Sequence, residues 1–236
     1  MLQAETVGAP ASEQTEDGVP QADAAAVAPA PVQMAAASPG ELAVPSAADG
    51  EAIGVMRSLA FAEKIGPCMS RRSMISASVT AYRTYEEKHP AKLQHCRIIR
   101  GESGEVLAAV QLQLWEDPPD LQFSEFMQHK LHPGEAYLEW IGCAPAAQGK
   151  GYGTRLLNWA HEYARASGAA FMSLDVMAAN TNAFRLYERQ GYVRRRPRHI
   201  KDNFEAFCEV CCGAVCVFCC WGCRYCRVYY MEKPLP

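Results

Sequence analysis

The segment AAQGKGYGTRLLNWA, residues 146 to 160, has a glycine at every second position of a loop and then continues with a helical pattern. The loop glycines are Gly149, Gly151 and Gly153. Apolar residues at helical spacing follow them, and Gly168 is placed to end the helix. Pro145 ends a predicted strand just before the loop. The segment therefore predicts a strand, a tight turn and a helix in direct succession.

Glycines leave the main-chain N–H groups of this loop uncovered by side chains, at the start of a helix. Such amides, together with the positive end of the helix dipole, can form an anion site. Gln148 and Lys150 add a side-chain donor and a positive charge. The loop has neither the spacing of a dinucleotide fingerprint nor that of a nucleoside triphosphate loop. From these residues alone, a purely structural turn stays open beside an anion site.

Strand and helix patterns alternate along the rest of the chain. Strands are predicted at residues 52–58, 95–100, 105–115, 136–144, 171–178, 192–196 and 227–233. Helices are predicted at residues 70–88, 153–167 and 180–190. We expect an α+β fold in which helices flank a mixed sheet.

The N-terminal part differs in composition from the rest. It is rich in Ala and Pro and carries acidic residues but no Lys or Arg, while the whole chain has a net charge of −3. A segment with so few bulky apolar residues cannot offset the entropy of ordering it. We expect residues 1–51 to be a disordered acidic tail and residues 52–200 to be a folded domain. The mildly basic remainder does not indicate a nucleic-acid partner.

Most of the cysteines lie between Cys208 and Cys226, in an apolar segment. Their C-x-x-C spacings permit a zinc site, but zinc modules are usually more polar between their ligands. Together with the basic residues before it, the stretch 194–226 also fits peripheral membrane contact or acylated cysteines. A third interpretation is that residues 201–226 are an apolar insertion that packs on the sheet, and no metal ligand is assigned. Without a secretory signal, we expect a cytoplasmic protein, with membrane association as an alternative.

A second motif lies about 30 residues after the glycine loop. It contains Asn180, Ala183, Leu186, Tyr187, Glu188, Gly191 and Tyr192. The strand before the loop ends with Cys143, Ala144 and Pro145, and the loop itself contains Gln148, Gly151 and Gly153. Together these residues resemble the GNAT superfamily of N-acetyltransferases. That family has the loop pattern Q/R-x-x-G-x-G/A, the later pattern N-x-x-A-x-x-L-Y-E-x-x-G-F/Y and a strand ending V-x-P.

The resemblance implies a mixed, mostly antiparallel sheet of about six or seven strands, with a V-shaped split between the strands at 137–143 and 171–178. Residues 227–236 would supply the final strand. Acetyl-CoA is the implied co-substrate, with its pyrophosphate on the amides of 148–154 and its pantetheine arm along the strand edge at 141–143. The implied coenzyme-binding residues are Ile141, Gly142, Cys143, Gln148, Gly149, Lys150, Gly151, Tyr152, Gly153, Thr154, Asn180, Ala183 and Tyr187.

The implied acetyl transfer needs a base, an oxyanion donor and an acid. An amine acceptor is mostly protonated at neutral pH, because lysine-like amines have a pKa of about 10. By the resemblance, Tyr187 protonates the leaving thiolate and a main-chain N–H near Ile141 stabilises the oxyanion. Glu139, predicted to lie in phase with Ile141 and Cys143, competes with Asp175 as the base. A water relay is the third possibility.

We expect an acetyl-CoA-dependent N-acetyltransferase that moves an acetyl group to a primary amine by direct attack in a ternary complex. A non-catalytic acetyl-CoA sensor or tethering protein is the alternative, and Tyr187 with two nearby carboxylates favours the enzyme. A small amine, a lysine side chain and a protein amino terminus all remain open as acceptors. The segments that would shape the acceptor pocket, 59–90 and 116–135, carry no pattern that selects among them.

Overall fold

The computed structural model describes residues 39–65, 70–121, 123–124, 129–195 and 228–236. Its helices are α1 Gly50–Ile65, α2 Arg71–Lys88, α3 Pro90–Leu93, α4 Tyr152–Ala166 and α5 Thr181–Arg189. Its strands are β1 Leu42–Ala43, β2 Cys96–Arg100, β3 Val106–Leu114, β4 Phe123–Ser124, β5 His129–Lys130, β6 Glu135–Cys143, β7 Phe171–Met177, β8 Val193–Arg194 and β9 Val228–Pro234.

Seven strands of the described chain form one sheet, in the order β1-β2-β3-β6-β7-β9-β8. Neighbouring strands are antiparallel except for β6 and β7, which are parallel. Strands β4 and β5 pair with each other outside this sheet. The predicted mixed, mostly antiparallel sheet is therefore confirmed.

Helices cover both faces of the sheet, because its central strands alternate between two apolar cores. On β3, Val110 and Leu112 pack toward the core that contains α4 and α5. Ala109, which points the other way, packs in the core that contains α1 and Tyr82 of α2. The candidate site lies at the middle of the sheet, where the helices of the two faces meet it.

Most predicted elements match the structure closely. The helix expected at 70–88 is α2, and the strands expected at 95–100 and 105–115 are β2 and β3, which form an antiparallel hairpin. The strand, helix, strand and helix that follow are β6, α4, β7 and α5. The strand expected at 192–196 is shorter than predicted, and spans only Val193–Arg194.

Residues 52–58 belong to helix α1, so the first strand predicted there is wrong. Ile53 and Met56 lie three residues apart and are both buried against the sheet. Gly54 allows α1 to approach α2 closely, since a Cβ on Gly54 would lie 2.6 Å from the Cα of Ile75. A short apolar run does not distinguish a buried helix from a strand by periodicity alone.

The described structure includes residues before 52, within the segment predicted to be a disordered tail. Leu42 of β1 pairs with Ile99 of β2, and Asp49 forms an ion pair with Arg100. These contacts with the hairpin supply the buried surface that the composition did not indicate, so the predicted boundary lies too late. Residues 1–38 are outside the described part.

The Cys-rich segment at 201–226 and most of the basic stretch before it lie outside the described residues. The predictions of packing, zinc binding or membrane contact there stay predictions. Within the part of the chain that the structure describes, no helix has the length and apolar character needed to cross a membrane.

Candidate active site

Strands β6 and β7 pair over their first half and then separate. Their pairing runs from Glu135 opposite Phe171 to Leu138 opposite Leu174. Beyond that pair, β6 remains bonded to β3 and β7 to β9, so among the described residues each strand has one unpaired edge facing the gap. The predicted V-shaped split is confirmed, and its vertex lies at Leu138 and Leu174.

A cleft of about 530 Å³ lies on the β6 side of this split, with walls from β6, the glycine loop, α5 and α1. Its lining includes every predicted coenzyme-binding residue except two, Lys150 and Tyr152. Lys150 is exposed on the loop, and Tyr152 begins α4 and packs against the core beneath it. The structure thus brings together nearly all the side chains and glycines that the two motifs place far apart in the sequence.

The glycine loop presents unused main-chain donors to the cleft. Gly149 and Gly151 have φ values of +75° and +82°, in the left-handed region that favours glycine. No carbonyl among the described residues accepts a hydrogen bond from the N–H groups of 149–154, whereas the N–H of Arg155 donates to Gly151 at 3.0 Å. These donors stand at the start of a 15-residue helix. The arrangement fits a bound anion such as a diphosphate.

Gln148 ties the glycine loop to the end of β6. Its side-chain Nε2 donates to the carbonyl oxygen of Cys143 at 3.4 Å. Cys143 is half-buried, lines the cleft and packs against the α4 core. The strand end, the loop and the helix start therefore form one continuous wall.

Asn180 begins α5 at the edge of the cleft. Its Oδ1 accepts a hydrogen bond from the N–H of Ala183 at 3.4 Å, which caps the helix. Both residues also line the cleft. The capping bond uses the amide oxygen and leaves the amide NH₂ group as a donor for a ligand.

Tyr187 of α5 lines the cleft with a buried side chain. It is 6% exposed, and its ring meets that of Tyr192 edge to face at 5.7 Å. Burial, with the nearby Cys143 thiol, raises the pKa of the Tyr187 hydroxyl above its ordinary value. Within the described chain, no residue forms a hydrogen bond with this hydroxyl. The hydroxyl is therefore protonated at neutral pH and open toward the cleft.

Glu139 lies at a β-bulge, and this corrects its predicted orientation. Gln111 of β3 pairs with Trp140, and the next residue of β3 pairs with Leu138, so the register skips Glu139. The carboxylate accepts a hydrogen bond from Gln111 Nε2 at 2.6 Å, on the face covered by α1 and α2. Ile141 packs on the opposite face, toward α4. The predicted phase of Glu139 with Ile141 is therefore wrong, because the bulge interrupts the alternation.

Asp175 is buried just beyond the vertex, on β7. Its side chain is 2% exposed and accepts a hydrogen bond from the Tyr137 hydroxyl at 3.3 Å. His129 places Nδ1 at 3.8 Å from Asp175 and Nε2 at 2.9 Å from the buried Glu135. Burial raises the pKa of Asp175 to about 6, and the neighbouring His129 limits the rise. This carboxylate can titrate near neutral pH but has little contact with solvent.

Several lining residues were not predicted from the sequence. Arg185 and Arg189 are one turn apart on the exposed side of α5, and Asn182 precedes them. The sequence feature that could have identified the two arginines is their four-residue spacing within the second motif, which puts them on one side of a helix. Ala60 and Phe61 enter from α1, within the segment 59–90 in which the sequence shows no recognisable pattern.

Comparison with known proteins shows which of them share this architecture. The model of the acetyltransferase (GNAT) family matches residues 72–192. A crystal structure of an acetyltransferase is 22% identical with a TM-score of 0.54, over 83% of this chain and 100% of that chain. The PaiA N-acetyltransferase of Thermoplasma acidophilum, solved in complex with coenzyme A, is 15% identical with a TM-score of 0.51, over 82% and 98% of the two chains.

A third similar structure is Naa20 of Chaetomium thermophilum, solved in complex with a bisubstrate analogue. It is 17% identical with a TM-score of 0.50, over 83% of this chain and 86% of that chain. No curated protein matches the sequence. At such identities the solved structures share the fold, while the family match covers more than half of the chain and contains both motifs. This chain belongs to the acetyltransferase (GNAT) family, which uses acetyl-CoA as its co-substrate.

Proposed function

We propose that this protein is an N-acetyltransferase that moves the acetyl group of acetyl-CoA to a primary amine by direct attack in a ternary complex. The observation that carries the proposal is the set of uncommitted N–H groups at 149–154, which open onto the cleft at the split. A ligand whose anionic group binds these donors would extend along the cleft toward Tyr187.

The residues of the cleft fit the parts of coenzyme A. The pyrophosphate would lie on the amides of the glycine loop, with Arg185 and Arg189 contributing positive charge. The pantetheine arm would pair with the unpaired edge of β6 at 141–143, as an added strand does. Asn180 would donate to the same arm from the other side of the cleft.

Two groups of the chain would act on the thioester. A main-chain N–H at the open edge of β6, near Ile141, would stabilise the oxyanion that forms when the amine attacks the thioester carbonyl. When the carbon–sulfur bond breaks, the Tyr187 hydroxyl would protonate the leaving thiolate. Its raised pKa keeps this hydroxyl in the protonated form that a donor needs.

Glu139 is our primary candidate for the base that removes the proton of the ammonium acceptor. It is half-buried and is the first β6 residue beyond the vertex, where an acceptor or one water would meet it. Asp175 is the second candidate. Its side chain is 2% exposed and would require a water relay.

The acceptor is a primary amine whose wider structure the site does not specify. We would test the proposal by incubating the protein with acetyl-CoA and a panel containing small amines, a lysine peptide and peptides with free amino termini, and following thiol release. The proposal predicts release that depends on at least one amine. Coenzyme A binding without release across the panel would instead support a non-catalytic sensor.

A further inference from the structure

The bulge in β6 brings Glu139 next to one buried side chain of the facing strand. Gln111 is the β3 residue at which the register shifts, and it is only 3% exposed. Its Nε2 donates to Glu139 Oε2 at 2.6 Å. A bulge commonly re-aims one side chain of a strand, and here the re-aimed carboxylate meets a donor from the neighbouring strand.

Two tyrosines of α2 determine which way the Gln111 amide faces. The Tyr82 hydroxyl donates to Gln111 Oε1 at 3.3 Å. Gln111 Nε2 also donates to the Tyr85 hydroxyl at 3.0 Å. With its oxygen engaged by Tyr82, the amide keeps its NH₂ group directed to Tyr85 and to Glu139, which accounts for both N–H donors.

Other groups around Glu139 act on it through space. Arg57 of α1 lies with its guanidinium 4.5 Å above the Trp140 ring, donates to Ser78, and attracts the carboxylate electrostatically. Tyr137 on β6 and Cys96 on β2 also face the same charge. Among the described residues, Gln111 is the side chain that donates a hydrogen bond to Glu139.

We propose that Gln111 is a positioning residue, which holds the Glu139 carboxylate in the orientation that accepts the proton of the amine, and that Tyr82 holds Gln111 in turn. The inference rests on the proposed acetyl transfer, with Glu139 as the base. The bond to Oε2 leaves Oε1 for the acceptor or its relaying water. Gln111 itself does not line the coenzyme cleft.

A double-mutant cycle tests this role, because a residue that acts only through Glu139 loses its effect once Glu139 is changed. We expect Gln111→Met to lower kcat by about 10- to 100-fold, with coenzyme A affinity unchanged, since misalignment of a catalytic group costs rate rather than coenzyme binding. In a Glu139→Gln background, Gln111→Met should change kcat by less than about 3-fold. Tyr82→Phe should give a smaller loss of the same kind.

Gln113→Met is the matched control. Gln113 is two residues further along β3 and is also buried, but it does not bond Glu139. The control should keep the wild-type kcat, and thermal unfolding should show that every variant folds. Additive losses in the cycle, an equal loss in Gln113→Met, or a Glu139→Gln variant with full activity would overturn the inference while leaving the transferase function intact. A folded wild-type protein that transfers no acetyl group would overturn both.

Discussion

Glu139 and Asp175 occupy the same point on the two diverging strands, each as the first residue beyond the last β6–β7 pair, Leu138 and Leu174. The two carboxylates differ in environment, however. Glu139 is turned by a bulge to meet Gln111, whereas Asp175 is buried beside Tyr137. The vertex of the split thus carries two carboxylates that are held by different partners.

The buried charge of Asp175 should reduce stability at alkaline pH. Its folded-state pKa of about 6 lies above the ordinary value of 3.8, so ionisation costs free energy above pH 6, and the cost disappears as the pH falls toward 4. We expect Asp175→Asn to raise the free energy of unfolding by about 2 kcal/mol at pH 8 and by little at pH 4. Urea unfolding at the two pH values measures this.

Asp117→Asn is a control in which the change in the free energy of unfolding should have the opposite sign. Although burial opposes it, the neighbouring His95 and Lys92 lower the pKa of Asp117 to about 2. Its stabilising effect is present above pH 4 and is lost as the pH falls toward 2. We expect the variant to lose about 3 kcal/mol at pH 8, because Lys92 would be left buried without its partner. Equal pH dependence in both variants would contradict this account.

Replacing Tyr187 by Phe should remove the proposed proton donor to the thiolate, while the aromatic ring still fills its place in the cleft. We expect kcat to fall by about 100-fold or more, with coenzyme A affinity little changed. Tyr192→Phe is the control, since it removes another buried hydroxyl, which bonds His161 at 3.0 Å. It should cost about 1 kcal/mol of stability but leave kcat unchanged. Similar kinetics in the two variants would argue against the acid role.

The two ends of α4 allow a matched test of the glycine loop. Gly151 before the helix and Gly168 after it both have φ of +82°, and a Cβ at either position meets nothing within 4 Å. Alanine should therefore cost a similar amount of about 1 kcal/mol of stability at each. Only Gly151→Ala should weaken coenzyme A binding, measured by calorimetry, because we propose that loop, and not the end of α4, as the diphosphate site. Equal affinities would count against the loop as the binding site.

Arg185 and Arg189 should contribute charge to coenzyme binding. We expect glutamine at either position to weaken coenzyme A binding by about 3- to 10-fold at low salt, with a smaller effect at high salt, because exposed charges are screened. Arg83→Gln, an exposed change on α2, is the control. Coenzyme A titrations at two salt concentrations measure this effect. An affinity that does not change in either variant would remove both arginines from the site.

Local patterns predicted the part of the fold that is built from consecutive elements. The glycines before α4 and the cap at Asn180 marked their elements directly, since left-handed turns and helix caps require particular residues. The likeness to a known family supplied the split and the cleft. Both follow from how distant strands pair, which spacing alone does not determine.

The features that were predicted wrongly or missed depend on contacts between residues far apart in the sequence. The bulge at Glu139 depends on pairing between β6 and β3, so strict alternation assigned that side chain to the wrong face. The pattern at 52–58 predicts a strand where the structure has helix α1, because Ile53 and its neighbours form a short apolar run. The Gln111 contact could not be predicted, since only the folded sheet brings this residue to Glu139.

The most direct test is to titrate ¹⁵N-labelled protein with coenzyme A and follow the main-chain amides. The account predicts saturable binding, with the largest shifts at the N–H groups of 149–154 and smaller ones along 141–143. Absence of binding, or saturable binding that leaves the amides of 149–154 unmoved, would contradict it.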